Sequence, residues 1–327
     1  HAMNLDARSL QVLHGGGLTT VQDPGRSGWR HLGVARAGAL DTAQAALANR
    51  MVGNPPDAAV LELTLRGPTL AFDRPIRIAL CGAQLDASFE DSHAQTSAVP
   101  CGRPVALPPG TLKLGTIRTG LRAWFAVAGG IDVPQVLGSR STDLRGGFGG
   151  IDGRELHAGD MLPIGMHAAI RTDAVDAPSW WVSLDDIAAA RDTIRYVASD
   201  APWAHALSER TWSIDPRSNR QGLRCSGDAI VADMPEQISA PVAPGTIQLP
   251  PDGRPIVLLA DAQTVGGYLR LGHVIAADLP RLAQWRPGDT LRFVAVDATA
   301  ARAAAQHRRN EIARLHWAIE RALDGAP

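Results

Sequence analysis

The sequence has few cysteines and no histidine pattern suited to metal binding. Its three cysteines, Cys81, Cys101 and Cys225, are an odd number, lie far apart and form no CxxC pair. A disulfide framework or a structural zinc site is therefore not expected, and a reducing cytoplasm is the predicted location. None of the ten histidines pairs at HxH or HxxxH spacing, so we predict no protein-bound metal.

An excess of one charge and long apolar runs are also absent. The 327 residues carry 32 Lys and Arg against 33 Asp and Glu, a net charge of −1 at pH 7. That balance gives no electrostatic footprint for nucleic acid or an anionic membrane. No apolar run approaches the ~20 residues that a membrane span needs, and the first residues show no basic-then-apolar signal pattern. We predict a cytoplasmic protein that binds neither nucleic acid nor membrane.

Glycine and proline are plentiful, and they separate short β-like runs. The sequence has 33 glycines and 23 prolines, and turn signals bound each apolar run. Five runs predict strands: Leu10–Leu13, Arg77–Leu80, Ala123–Val127, Pro255–Leu259 and Leu291–Val296. The fold class predicted from this pattern is mainly β (α+β), with few helices.

Helical patterns occur in three places. The stretch 41–51 has Asp41 as its predicted N-cap and Gly53 just beyond its end. Residues 184–190 suggest a short helix. Residues 299–323 predict a long C-terminal helix, because apolar side chains recur at helical spacing opposite arginines and glutamates. This helix either packs on its own domain or binds a partner.

A weak internal repeat predicts two related β-rich domains. The segment PGTLKL at 109–114 precedes a buried strand and then GDML at 159–162, and PGTIQL at 244–249 precedes a buried strand and then GDTL at 288–291. Asp, Ala and Pro accumulate near 168–183, where we place the boundary. The predicted divisions are 4–178 for an N-terminal β-rich domain, 184–298 for a second β-rich domain and 299–323 for the C-terminal helix.

Three stretches combine turn residues with groups that bind polar, planar ligands. The first runs from TVQDPGRSGWR at 20–30 to Asn54-Pro55, the second from AGGIDVP at 128–134 to GSRSTD at 138–143, and the third from IQLP at 247–250 to DAQTVGGY at 261–268. Arginine offers a fork for carboxylate or ureido oxygens, amides donate and accept, and carboxylates orient amines or act as bases. The structural alternatives are that Asp41 only caps a helix and that Asp23 pairs with Arg26 to lock its turn.

Other motifs exclude some activities. The HGGG run at 14–17 lacks the GxSxG elbow that a lipase-type hydrolase needs, and no Walker A motif is present. The glycine-rich run GGFGG at 146–150 is followed by no helical pattern, so it does not predict a nucleotide site. We expect it to let backbone approach backbone or a ligand closely.

Taken in order, these stretches resemble the biotin-dependent carboxyltransferase family, also called allophanate hydrolase subunit 2. The motifs that carry the resemblance are TVQDPGRSGWRHLGV, AGALD, ANRMVGNPPDAAVLEL, FAVAGGIDVP, LGSRSTDL, PGTIQLPPDGRPIVLLADAQTVGGY and ADLPRLAQWRPGD, spread from about residue 10 to residue 293. STDL at 141–144, SNR at 218–220 and DAQT at 261–264 look most like the branch formed by the C subunits of 5-oxoprolinase. Leu223 stands where the family usually has a tyrosine, which puts a contact at that position in doubt.

The resemblance implies two cyclophilin-like β-barrel domains and a role in a hetero-oligomeric complex. The expected activity is that of a hydrolase component. An ATP-dependent complex with a smaller B component and a further A component would open 5-oxoproline, or a related cyclic amide, to the amino acid. This chain would then bind no cofactor alone, ATP would be used by the complex, and activity would need the complex.

The resemblance also leaves two alternatives open. One is a carboxyltransferase that moves carboxyl from carboxybiotin to urea or a similar amide, so that biotin would take part. The other is a non-catalytic partner that relieves inhibition of a sensor kinase.

The predicted site residues come from the three polar stretches. Asp261, Arg26 and Arg140 are the predicted catalytic residues. The predicted substrate-binding residues are Gln22, Asp23, Gln248, Gln263, Thr264 and Tyr268. In this hypothesis Arg26, Arg140 and Gln248 donate to a carbonyl or developing oxyanion. Asp261, Gln263 and Tyr268 orient an amine or lactam nitrogen, and the turn with Gln22 and Asp23 forms one wall of the pocket.

Overall fold

The computed structural model describes residues 8–166, 168, 170, 172–182, 192–232 and 238–324. The chain divides into two compact units. The first comprises His1–Gly25, Asp41–Ile187 and Arg314–Pro327, and the second comprises Arg26–Leu40 and Ala188–Ala313. Each unit is built mainly of strands, which confirms the predicted mainly-β fold class.

The first unit is a nine-stranded sheet that forms a half-barrel. Its strands are β1 (Ser9–His14), β2 (Leu18–Gln22), β3 (Val60–Thr64), β4 (Thr69–Phe72), β5 (Ile76–Asp91), β6 (Thr96–Ala98), β7 (Pro104–Leu107), β8 (Gly110–Val127) and β9 (Met161–Pro163). The main path runs β2-β3-β8-β4-β1-β9, and β5 pairs with β6, β7 and β8. Apolar side chains of these strands, such as Leu61, Ile78 and Phe125, form one buried core.

The first helix begins and ends where the sequence predicts. Helix α1 spans Thr42–Met51, and the side chain of Asp41 accepts hydrogen bonds from the backbone N–H groups of Ala43 (3.0 Å) and Gln44 (3.1 Å). These bonds satisfy two of the donors that a helix leaves free at its start. Gly53 follows the end of the helix with φ of +82°, a conformation that favours glycine.

The second unit is a closed seven-stranded barrel. Its strands are β10 (Thr193–Ala198), β11 (Thr211–Ile214), β12 (Gly222–Ser226), β14 (Thr246–Leu249), β15 (Ile256–Leu258), β17 (Leu269–Val274) and β18 (Thr290–Ala295). The order around the barrel is β10-β17-β14-β15-β12-β11-β18, and β18 closes it by pairing in parallel with β10, from Thr193↔Arg292 to Tyr196↔Ala295. A separate two-stranded ribbon joins β13 (Ala240–Pro241) to β16 (Val265–Gly266).

Aromatic and aliphatic side chains fill the barrel. Tyr196 and Phe293 meet edge to face with ring centroids 6.0 Å apart, and Trp212 is fully buried in the same core. The hydroxyl of Tyr196 donates to the carbonyl oxygen of Ala204 at 2.7 Å, so this buried polar group is satisfied.

The long C-terminal helix is confirmed. Helix α2 spans Ala298–Asp324, and Ile319 on its apolar face is 2% exposed. Trp317 on the same helix is 61% exposed and carries the guanidinium of Arg321 over its ring, 5.1 Å from the centroid. The predicted short helix at 184–190 lies outside the described residues. Among the described helices none is long and apolar enough to cross a membrane.

The two units are not continuous in sequence. Residues 26–40 belong to the second unit although in the sequence they come between β2 and β3 of the first. Helix α2 is also divided, since its residues up to Ala313 belong to the second unit and the rest belong to the first. The reason for the first exception is local bonding, since the N–H of Ala37 donates to the carbonyl of Ala260 at 3.1 Å. The predicted divisions 4–178, 184–298 and 299–323 stay a prediction.

Candidate functional site

A short segment at 26–40 is bonded onto the second unit. The N–H of Arg26 donates to the carbonyl of Arg36 at 2.7 Å, which closes the segment into a loop. Inside it a turn of 3₁₀ helix, Arg30–Leu32, ends at Gly33, whose φ of +83° favours glycine. The loop carries three arginines, of which Arg26 is fully buried and Arg36 is exposed.

A buried ion pair of the barrel unit also bonds to the 26–40 segment. Arg220 donates from Nε to Oδ2 of Asp261 at 2.9 Å and from Nη2 to Oδ1 at 3.0 Å, and the two side chains are 4% and 3% exposed. The same Nη2 donates to the carbonyl of Gly38 at 2.7 Å. The bidentate pair fixes the plane and position of the Asp261 carboxylate.

The sequence predicts Asp261 as a site residue but misses its partner. Arg220 lies in the SNR motif at 218–220, yet no local pattern marks it as a binding residue. A search could have started from Asp261, because a buried carboxylate needs a cationic partner and Arg220 lies in a motif of the same domain.

Gln248 presents a buried amide on strand β14. Ile247 and Leu249 belong to the barrel core, so the alternation of the strand turns Gln248 to the other side. Its side chain is 1% exposed, and its Nε2 has no hydrogen-bond partner among the described residues. A Cβ on Gly266 would lie 2.6 Å from this Nε2, so the glycine lets the ribbon pack directly on the amide. The arrangement provides a fixed N–H donor.

The remaining predicted residues of this unit flank strand β16 of the ribbon. Thr264 is 8% exposed, and its carbonyl accepts from the N–H of Val242 at 3.0 Å. Gln263 is half-buried, and Tyr268 is 47% exposed. The carbonyl of Val242 accepts a hydrogen bond from Nη2 of Arg30, which ties the 26–40 segment to the ribbon.

In the first unit, Asp23 anchors the GSRSTD segment. Its Oδ1 accepts from the hydroxyl of Ser139 (2.6 Å), the hydroxyl of Ser141 (2.5 Å) and the N–H of Gly25 (2.8 Å). Its Oδ2 accepts from the backbone N–H of Arg140 at 2.6 Å. Asp23 is 8% exposed, so this carboxylate organises the two chain segments around itself.

Gln22 lies beside the same segment and is fully buried. Its Nε2 donates to Oγ1 of Thr20 at 3.0 Å and to the carbonyl of Thr142 at 3.2 Å. Within the described residues, its Oε1 and the hydroxyl of Thr142 have no partner. A Cβ on Gly150 would lie 2.0 Å from that hydroxyl, so the GGFGG run does bring backbone close to a neighbouring group, here a side chain.

The guanidinium of Arg140 is partly exposed. Its Nη2 pairs with Oδ1 of Asp132 at 2.7 Å, and the two side chains are 30% and 54% exposed. This pair links the AGGIDVP and GSRSTD motifs within the first unit. The predicted residues therefore fall in two groups, with Gln22, Asp23 and Arg140 in the first unit and the other six in the second.

The cysteines and carboxylates offer little for metal or thiol chemistry. Burial raises the pKa of Cys225 to about 12, and burial likewise raises the pKa of Cys81 and Cys101. Thiols with raised pKa values are poor nucleophiles. In the described part of the chain no three His, Cys, Asp or Glu side chains gather in a way that could hold a metal ion.

Comparison with known proteins agrees with this architecture. The chain is 37% identical to the C subunit of 5-oxoprolinase from Escherichia coli (strain K12), over 95% of this chain and 98% of that protein. It is 34% identical to the C subunit of 5-oxoprolinase from Haemophilus influenzae, over 93% of this chain and 96% of that one. The crystal structure of Kluyveromyces lactis urea carboxylase superposes with a TM-score of 0.83 at 27% identity, over 96% of this chain and 30% of that one.

The sequence also matches a family model. The model described as the carboxyltransferase domain, subdomain A and B, matches residues 32–295, which include the barrel, the ribbon and most of the first sheet. The chain therefore belongs to this carboxyltransferase-domain family.

Proposed function

We propose that this chain is the C subunit of an ATP-dependent 5-oxoprolinase complex. Together with A and B components, the complex would open 5-oxoproline, or a related small cyclic amide, to the amino acid. The observation that carries the proposal is the 37% identity to the Escherichia coli relative across 98% of that protein. A match over nearly the whole of both chains supports a shared role better than a match to one domain of a longer enzyme.

The chemistry of the second unit suits an amide substrate. Hydrolytic opening of a lactam adds the oxygen of water to the carbonyl carbon, so charge develops on the carbonyl oxygen. The C–N bond then breaks and the leaving nitrogen receives a proton. The buried N–H of Gln248 is a donor of the kind that stabilises such an oxygen. Asp261, whose two oxygens accept from Arg220, contributes a fixed negative charge to the same unit.

The polar group of the first unit has a different role in the proposal. Both carboxylate oxygens of Asp23 are occupied by hydroxyls and backbone N–H groups, so Asp23 positions the segment at 139–141. Arg140 is then the residue of that segment with a guanidinium to offer. In this proposal the chain binds no cofactor alone, ATP is used by the complex, and activity depends on the smaller B component and on the A component.

The test of this proposal is to assemble the complex and measure its activity on 5-oxoproline. The chain is co-expressed with candidate B and A components from its own source, and glutamate released from 5-oxoproline is measured with and without ATP. ATP-dependent release that disappears when this chain is omitted supports the proposal. A complete complex without release contradicts it.

A second candidate is transfer of carboxyl from carboxybiotin to urea or a similar amide. The likeness to the Kluyveromyces lactis urea carboxylase structure favours it, although this chain spans 30% of that one. The discriminating measurement is a pull-down of the chain from an extract of its native cells, probed with streptavidin. A biotinylated partner supports carboxyl transfer, and a smaller B-like partner without biotin supports the lactam hydrolase.

A further inference from the structure

Two arginines of the 26–40 segment, Arg30 and Arg36, lie close together with no carboxylate partner among the described residues. Nη2 of Arg30 donates to the carbonyl of Val242, and its Nη1 is buried with no hydrogen-bond partner in the part of the chain that the structure describes. Arg36 is exposed, and among the described residues no Asp or Glu oxygen lies within 4.0 Å of the guanidinium of either arginine. Arg140 and Arg220, by contrast, do have carboxylate partners.

The electrostatics of this pair are unfavourable without an anion. Burial lowers the pKa of Arg30, and the neighbouring positive charge of Arg36 lowers it further. A guanidinium that is partly removed from water and faces a second cation gains most from a bound anion, and its planar fork matches a carboxylate. The backbone carbonyl of Val242 occupies one donor of Arg30 and leaves Nη1 for such a ligand.

The position of the pair relates it to the proposed amide site. Val242, which follows β13, donates to the carbonyl of Thr264, which precedes β16, and Gly266 in β16 packs on the amide of Gln248. The ribbon and its flanking residues thus connect Arg30 to the buried N–H donor, all within the second unit. A substrate that carries both a carboxylate and an amide would use both features.

We propose that Arg30, assisted by Arg36, binds the carboxylate of the cyclic amide substrate and so determines its specificity. This inference rests on the proposed function. 5-Oxoproline carries such a carboxylate beside its lactam, whereas urea carries none. The arginine pair is therefore a feature that selects an amino-acid lactam and has no use in recognising urea.

The experiment compares substrates and variants in the assembled complex. Steady-state kinetics are measured with 5-oxoproline and with 2-pyrrolidinone, the same lactam without its carboxylate, for wild type, Arg30→Lys, Arg30→Gln and Arg36→Gln. Loss of a charge-assisted fork predicts a KM for 5-oxoproline raised about tenfold to a hundredfold in Arg30→Gln, with kcat changed much less. Arg30→Lys, which keeps the charge and loses the fork, should fall between wild type and Arg30→Gln, and kcat/KM for 2-pyrrolidinone should not change.

Arg36→Gln guards against a folding artefact. Its guanidinium is exposed and makes no hydrogen bond among the described residues, so its removal should leave the fold intact and raise KM by a smaller factor. The matched control is Arg224→Gln, an exposed arginine on strand β12, which should behave as wild type.

The outcomes separate the two proposals. If the wild-type complex releases no glutamate, the proposed function fails first. If wild type is active and KM for 5-oxoproline is unchanged in both Arg30→Gln and Arg36→Gln, the carboxylate site is wrong. A rise in KM for ATP in place of 5-oxoproline would also overturn it, because the bound anion would then be a phosphate.

Discussion

Arg220 holds both carboxylate oxygens of Asp261, at 2.9 and 3.0 Å, inside the second unit where neither side chain is more than 4% exposed. The pair is bidentate, so each charge has the other within hydrogen-bond distance at two points. Removal of either partner alone therefore leaves a buried charge behind.

Arg220→Gln should destabilise the protein strongly. Loss of one partner of a buried ion pair costs about 3–5 kcal/mol in the free energy of unfolding. Urea unfolding followed by tryptophan fluorescence measures the change. The double variant Arg220→Gln/Asp261→Asn should be less destabilised than the sum of the single variants, and additive effects would contradict the pairing.

Gly266→Ala should act through Gln248. The new methyl carbon would lie 2.6 Å from Nε2 of Gln248, and no positive φ forbids alanine at this position, so the amide itself must move. Overpacking of this kind costs about 1–3 kcal/mol, and glutamate release by the complex should fall with it. In a Gln248→Ala background the same Gly266→Ala change should cost much less. An equal cost in both backgrounds would show that the contact does not matter.

Asp23→Ala should loosen the segment at 139–141. Four donors lose their acceptor, so we expect a loss of about 3 kcal/mol or more, against about 1–2 kcal/mol for Ser139→Ala. Hydrogen exchange at the Arg140 amide, which donates to Oδ2 of Asp23, should speed up in Asp23→Ala. Protection unchanged from wild type would contradict the anchoring role.

Asp215 should contribute to loss of stability in acid. Hydrogen bonds from the Arg217 side chain and backbone, with a further one from Ser226, hold the pKa of Asp215 far below its usual range. A carboxyl with a depressed folded pKa stabilises the protein above its ordinary pKa of about 4, and that stability is lost as pH falls towards the folded value.

The measurement for Asp215 is unfolding free energy from pH 7 to pH 2. Asp215→Asn should be less stable than wild type at pH 7, and the difference should shrink below about pH 4. Asp57→Asn, a change at an exposed aspartate, is the control. A gap between wild type and Asp215→Asn that stays constant with pH would refute the assignment.

The sequence predicts local structure well because local signals decide it. Asp41 caps α1, and the five predicted strands and the C-terminal helix are present with bounds that differ by a few residues or extend further, as in β5 and β8. Sequence reasoning does not single out Arg220 and Arg30, because their burial and their distant partners, Asp261 and Val242, follow from no local pattern. For the same reason it does not reveal that residues 26–40 group with the second unit.

The motif TVQDPGRSGWR shows both what the sequence predicts and what it misses. The sequence marks its polar residues as a group, and the division of the chain into two compact units falls within the motif, after Gly25. Gln22 and Asp23 bond to the segment at 139–142, while Arg26 and Arg30 belong to the loop on the barrel unit. The roles of these residues as substrate ligands stay a prediction.

The parallel pairing of β10 with β18 has a consequence for synthesis on the ribosome. The barrel is closed by residues 193–196 and 292–295, so its seam forms only after nearly the whole barrel sequence has been translated. Until then β10 and β11 each expose a strand edge to other nascent chains, and exposed edges of this kind recruit foreign strands. A chain that stalls before residue 290 is therefore an aggregation hazard in the cell, and rapid translation or chaperone shielding of this final stretch would protect it.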